Sequence, residues 1–169
     1  MLQSWAFLSG FTPPPRSGEP ASAEALIGHV LERYHDVHRA EFPEAIRLAR
    51  KVEAVHAGVA EAPRGLADHL ALMFDDLEAH QQREERVLFP AMLNGGCMVV
   101  RHPIQRMMAE HEDVEAQLAT LRQLSNGYVA PDDACRTWRA LYAACRKLDE
   151  DLVEHMRIEN EELFPLFLG

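Results

Sequence analysis

Apolar residues recur at alternating intervals of three and four along four long stretches of the chain, a spacing typical of amphipathic helices that bury one face. Proline, glycine and short polar runs separate the stretches. The predicted helices run from Ser22 to about His56 with a break near Pro43, from Gly65 to Leu88, from Pro103 to about Leu124, and from Pro131 to Pro165. Four long helices with short connections favour an all-α, up-down four-helix bundle.

Residues 1–21 contain four of the ten prolines and show no such periodicity. We therefore expect an extended N-terminal arm at residues 1–21, followed by one helical domain at residues 22–169.

Histidine and glutamate occupy positions on the buried stripes where leucine is expected. The stripe of the second helix reads Leu66, Leu70, Met73, Leu77, His80, Glu84 and Val87, and that of the fourth reads Leu141, Cys145, Leu148, Leu152, His155 and Glu159. The block HQQREERVLFP at residues 80–90 returns as HMRIENEELFP at residues 155–165. In both blocks a His-x-x-x-Glu pair precedes the same three residues, LFP.

These buried pairs need a compensating partner. An ionised glutamate in an apolar interior costs several kcal/mol, and an unsatisfied imidazole costs about 1–3 kcal/mol. Residues four apart share one helical face, so His80 with Glu84, and His155 with Glu159, could each reach a cation. One such pair on a helix is usually a solvent-exposed hydrogen bond, but two on inward stripes favour a divalent metal.

Further histidines lie on the buried stripes of the other two helices. His111 faces inward on the third helix, whereas the spacing leaves Glu115 open. His56 continues an apolar stripe of the first helix, and the pattern does not choose between His35 and His38. Five histidines and two glutamates exceed the needs of one zinc ion and fit two metal ions, with a position left for a small diatomic molecule or peroxide. Three histidines lie off the stripes and are expected at the surface: His29, His69 and His102.

Composition narrows the possible partners. There are 17 Lys and Arg against 27 Asp and Glu, a net charge of −10, which disfavours a nucleic-acid partner. The sequence contains no long apolar run, so we expect no membrane partner and a cytoplasmic location. The three cysteines lack the spacing of a redox or metal site. We expect Cys135 and Cys145 to pack in the core and Cys97 to be exposed.

The motifs resemble those of the hemerythrin-like family. The segments RYHDVHR, KVEAVH, HQQREERVLFP, EHEDVE and HMRIENEELFP are similar, more narrowly, to the repair-of-iron-centres proteins, which are di-iron proteins associated with nitrosative and oxidative stress. The similarity extends from about Leu26 to Pro165. Many members carry a further N-terminal module with adjacent cysteines, whereas here no Cys precedes Cys97, so we expect no function that depends on those thiols.

The resemblance implies a hemerythrin-like bundle around two non-haem iron ions, oxo-bridged when oxidised, with both glutamates bridging. The ligands it implies are His35, His56, His80, Glu84, His111, His155 and Glu159. It prefers His35 over His38 and excludes Glu115. The implied small ligands are NO, O2 or H2O2.

The expected function is the repair of damaged iron-sulfur proteins, by iron release or by handling of NO. The alternatives are a module that binds or senses O2 or NO reversibly, a ferritin-like oxidase built on Glu32-x-x-His35 and Glu53-x-x-His56, and a buried hydrogen-bond network without a functional metal. We assign no catalytic residue.

Overall fold

A computed structural model describes residues 21–95 and 99–169, so the arm predicted at residues 1–21 lies almost entirely outside the described residues. The α-helical segments are α1 (Ala23–Val30), α2 (Asp36–Val55), α3 (Leu66–Arg83), α4 (Phe89–Leu93), α5 (Arg101–Leu124), α6 (Arg136–Arg157) and α7 (Pro165–Leu168). Three π-helical turns lie at Leu31–His35, Glu84–Leu88 and Ile158–Leu163, and a 3-10 turn lies at Asn126–Tyr128.

These segments form four long helices. The first comprises α1 and α2, the second α3 and α4, the third α5, and the fourth α6 and α7. α2 packs against α3 and α6, and α5 packs against the same two helices. Each long helix therefore lies beside its neighbours in chain order. The predicted up-down four-helix bundle is confirmed. Ser22 caps the first helix as predicted, because its hydroxyl accepts a hydrogen bond from the Ala25 N–H at 3.2 Å.

The break predicted near Pro43 is absent. α2 continues through this proline, and the irregularity in the first helix is the π turn at Leu31–His35. Pro43 is exposed, so the carbonyl that loses its N–H partner can be hydrated, while Phe42 and Ala45 on either side of it remain fully buried. Packing of the inner face therefore maintains the helix.

The second and fourth helices also continue past the prolines at which we predicted them to end. A π turn precedes both Pro90 and Pro165, and its wider backbone is suited to a residue that lacks an N–H. The turn at Glu84–Leu88 also changes which residues face inward. Val87, predicted on the buried stripe, is exposed, and Leu88 is buried instead.

The core consists of two apolar clusters separated by polar side chains. The larger includes Phe42, Leu77 and Leu118, and the smaller includes Tyr34 and Leu88. Each long helix contributes buried histidine at this level, and the second and fourth also contribute buried glutamate. These residues, called the polar layer below, are His35, His38, His80, Glu84, His111, His155 and Glu159. Among the described residues, no helix has the length and apolar character needed to cross a membrane.

Candidate metal centre

Six residues of the polar layer form two overlapping groups of four. Within each group the candidate ligand atoms lie within 4.8 Å of one another, and every member is buried. The first group contains His35, Glu84, His155 and Glu159, and the second contains His80, Glu84, His111 and Glu159. The two glutamates belong to both groups, so a pair of carboxylates lies between two pairs of imidazoles.

Glu84 presents one oxygen to each group. Its Oε2 lies 3.4 Å from Nε2 of His35, and its Oε1 lies 3.2 Å from Nε2 of His80. Both oxygens are buried and neither has a partner in hydrogen-bonding geometry. Such an arrangement is expected of oxygens directed at cations between the residues.

Glu159 repeats this arrangement on the opposite side. Its Oε1 lies 3.2 Å from Nε2 of His155, and its Oε2 lies 3.2 Å from Nε2 of His111. Again both oxygens lack a hydrogen-bond partner. Either carboxylate could therefore bridge two cations, each of which would also contact two imidazoles.

The π turns position three of these residues. His35 ends the first turn, Glu84 begins the second, and Glu159 lies in the third. Each turn contains a hydrogen bond between residues five apart, for example from the Phe164 N–H to the Glu159 carbonyl at 2.8 Å. Such turns often occur at functional sites because they rotate the following side chains relative to a regular helix.

Polar groups on the outer side orient three of the four imidazoles. The Nδ1–H of His35 donates to Glu85 at 2.8 Å, and that of His80 donates to Glu110 at 2.8 Å. His111 donates in the same way to the Asn160 side-chain oxygen at 2.9 Å. Because Nδ1 carries the proton in each neutral ring, Nε2 presents a lone pair to the groups, as metal-ligating histidines commonly do.

His155 is held differently from the other three. Its Nδ1 has no hydrogen-bond partner, and its ring stacks on Tyr34 with 5.2 Å between centroids and 5° between planes. An aromatic face therefore takes the place of an acceptor. The two groups consequently differ in the polarity of their surroundings.

In the metal-free protein, protons balance the buried carboxylates. Burial disfavours the charged imidazole of His80, but the charges of Glu84 and Glu159 raise its pKa to about 9. Burial likewise opposes charge on Glu159, yet the neighbouring His155 and His111 hold its pKa well below the ordinary value. A divalent cation would replace these protons, since metal ligands must be deprotonated.

A family model matches most of the sequence. Residues 26–167 match the hemerythrin HHE cation binding domain. The chain belongs to this family. It is 43% identical over 166 residues to the iron-sulfur cluster repair protein YtfE of Dickeya chrysanthemi (strain Ech1591), which covers 98% of this chain and 75% of the relative. The YtfE protein of Cronobacter sakazakii (strain ATCC BAA-894) is 40% identical over 158 residues, 94% of this chain and 72% of the relative.

As expected of a hemerythrin HHE domain, the donor set suits a cation. Imidazole nitrogens and carboxylate oxygens without thiolate are suitable ligands for iron, manganese or zinc. The buried oxygens without partners supply the observation from this structure that favours such an ion.

His56 does not join the candidate centre, contrary to the ligand set implied by the resemblance. It lies just after α2, where its Nε2 is 3.2 Å from Sγ of Cys135 and its ring centroid is 4.9 Å from that of Trp138. The apolar stripe that includes His56 extends beyond the polar layer. Stripe membership indicates a helical face but does not give the position along the bundle axis.

His38 is the buried histidine that the resemblance placed outside the ligand set. Its side chain is fully buried, and its ring centroid lies 5.6 Å from that of His155. Gln81 contacts its Nδ1 at 3.1 Å, whereas its Nε2 has no partner. Burial lowers the pKa of His38 to about 3, so the ring is neutral at neutral pH.

The remaining predicted side chains lie away from the centre. His29, His102 and Glu115 are exposed, and half-buried His69 contacts the Gln117 carbonyl oxygen at 2.8 Å. Glu32 is also exposed, which removes one of the two pairs that a ferritin-like site requires. Cys145 is buried as expected, Cys135 is half-buried, and Cys97 lies outside the described residues.

Sequence reasoning missed the residues that orient the imidazoles. Glu85 follows Glu84 in the chain, and Asn160 follows Glu159. A search for polar residues directly after each paired glutamate finds both. Glu110 directly precedes His111 but orients His80 on another helix, so only the fold shows its role.

Proposed function

We propose that the six side chains of the two groups bind two iron ions. We also propose that the protein supports the repair of damaged iron-sulfur clusters. The observation that carries the proposal is the position of the two carboxylates, Glu84 and Glu159, each of which presents one oxygen to either pair of imidazoles. The role in repair is taken from the YtfE relatives, whose names state it.

Bound iron would supply one-electron redox chemistry and positions for a small ligand such as NO, O2 or peroxide. The role of the protein's own side chains is to bind the ions and to orient the small ligand. Each group offers four donors, fewer than an octahedral ion accepts, so both ions would keep room for exogenous ligands. The apolar clusters on either side exclude bulk water, which strengthens the contacts between donors and cation.

A polar surface pocket supports iron release as part of the function. The pocket has a volume of about 280 Å³ and reaches from the surface to His80. Asp76, Glu110 and Asp113 contribute three carboxylates to its lining, against the single guanidinium of Arg83. A lining with excess negative charge favours the passage of a cation.

Metal analysis of matched variants tests the proposed ligands. The wild-type protein and Glu115→Leu should both bind about two iron ions per chain, because Glu115 is exposed. Glu84→Leu and Glu159→Leu should each bind less, because each removes a donor from both groups. Equal iron contents in all three variants would refute the assignment.

A repair assay tests the physiological role. An iron-sulfur enzyme inactivated by NO is incubated with the iron-loaded protein, with the iron-loaded Glu115→Leu variant, or with an equal concentration of free ferrous iron. Recovery should be faster with either protein than with free iron. If free iron performs equally well, the repair function is wrong even where the iron content is as proposed.

Reversible binding of NO or O2 is the second candidate function. It is favoured by the unequal surroundings of the two groups, because only the His155 side stacks an imidazole on Tyr34 and leaves its Nδ1 without an acceptor. Spectral changes that reverse when the gas is removed would support it. Irreversible oxidation on first exposure to O2 would exclude reversible O2 binding.

A further inference from the structure

The contacts of the candidate metal centre show approximate two-fold symmetry, with the axis between the two carboxylates. The ring of His35 stacks on Phe89 with 6.0 Å between centroids, and that of His111 stacks on Phe164 at the same distance. The residues after the two glutamates hold the outer nitrogens of these same histidines. The first and third helices are therefore equivalent, as are the second and fourth.

This relation breaks down at one pair of contacting side chains. His38, three residues after His35, contacts Gln81, one residue after His80. The equivalent positions on the third and fourth helices are Val114, three residues after His111, and Met156, one residue after His155. All four side chains are buried. One side of the centre thus contains an imidazole and an amide where the other contains two apolar side chains.

Burial of the His38 and Gln81 side chains would cost free energy without a further hydrogen bond. The Gln81 amide donates to Nδ1 of His38 at 3.1 Å, so the proton of the neutral ring lies on Nε2. That nitrogen is buried and has no partner. A buried donor left unsatisfied costs about 1–3 kcal/mol, so an acceptor is expected nearby.

The metal position is the most direct source of an acceptor. The ring centroid of His38 lies 5.6 Å from that of His155, whose Nε2 belongs to the first group. His38 itself is in neither group of converging ligand atoms. His38 therefore lies beside one imidazole of the first group, in which four other side chains already supply the donors.

We propose that His38, oriented by Gln81, donates a hydrogen bond to the small exogenous ligand at the position formed by His35 and His155, an inference that rests on the proposed di-iron site. In the second position the corresponding place is taken by Val114, whose side chain carries no hydrogen-bond donor. A small anion or diatomic molecule with an acceptor atom therefore binds preferentially at the first position. His38 is a positioning residue for that ligand.

Azide titration of the oxidised, iron-loaded protein tests the inference, with absorption as the readout. His38→Leu should retain the wild-type iron content and weaken azide binding by about tenfold, as expected for one lost hydrogen bond. His38→Gln retains an N–H donor and should recover part of the affinity. Val114→Ala changes the equivalent position and should leave azide binding unchanged.

The N–O stretching frequency of the NO adduct gives a second readout. Loss of a hydrogen bond should shift this frequency in His38→Leu and leave it unchanged in Val114→Ala. If His38→Leu loses iron, His38 is a ligand and the inference is wrong. If it retains iron but azide affinity and N–O frequency match the wild type, His38 has only a structural role. If the wild-type protein itself binds no iron, the proposed function fails first.

Discussion

The metal-free protein should lose stability as the pH rises from about 6.5 to about 9, because His80 loses its proton over this range. The imidazole is buried between two carboxylates, with Nε2 3.2 Å from Glu84 and Nδ1 2.8 Å from Glu110. Burial alone would lower the pKa of His80, but the charge of Glu84 raises this pKa from 6.5 to about 9. The folded protein therefore binds this proton more tightly than the unfolded chain.

The sign and size of the effect follow from proton linkage. The stabilisation is fully present below the unfolded-state pKa of 6.5 and disappears as the pH rises through the folded-state value of about 9. At about 1.4 kcal/mol for each pH unit between the two pKa values, the loss is about 3 kcal/mol. The pKa of His35 is also raised, through contacts with Glu84 that outweigh burial, and contributes in the same direction.

Urea unfolding with excess chelator, at several values from about pH 6 to about pH 10, measures this loss. His80→Gln removes the titrating group and should flatten most of the profile, and Glu110→Gln should move the loss to lower pH. Metal-loaded protein should not show it, because the cation replaces the proton. An unchanged free energy of unfolding in the metal-free wild type between about pH 6.5 and about pH 9 would refute the reasoning.

Three further outcomes are expected. The contact with His56 lowers the pKa of the Cys135 thiol. Alkylation of Cys135 at neutral pH, followed by mass spectrometry, should therefore be slower in His56→Ala. An equal rate would exclude the contact in solution. Leu118→Ala should lower the free energy of unfolding by about 2–5 kcal/mol in urea titrations, because Leu118 is fully buried in the larger apolar cluster. Asp149→Asn should cost about 1–3 kcal/mol in the same assay by weakening the paired contacts to Arg122, and should leave iron content unchanged.

The helical periodicity predicted the bundle because each long helix buries one continuous stripe. It also identified His80, Glu84, His111, His155 and Glu159 as inward polar residues, and all of them lie in the polar layer. The physical basis is simple: leucine-like spacing places a residue in the core whatever its chemistry. A buried polar residue then requires a partner that the sequence can only imply.

The two helix predictions that were wrong have separate physical causes. Pro43 lies on the solvent side of α2, where the missing hydrogen bond can be replaced by water, so the helix continues. Val87 faces solvent because a π turn adds a residue to the turn that begins at Glu84. The stripe that includes His56 extends beyond the polar layer, where His56 contacts Cys135, whereas His38 is buried within that layer.

Each block that ends in LFP has two structural roles. The histidine and glutamate face the centre, while the phenylalanine five residues after the glutamate stacks beneath a histidine of another long helix. The π turn satisfies both requirements, because its backbone bond links that glutamate and phenylalanine, as at Glu159 and Phe164. A regular helix would rotate the aromatic ring away from the neighbouring imidazole. Substitution of Phe164 by leucine should therefore loosen His111 without removing any ligand, and the metal centre should bind iron less tightly although its donor set is intact.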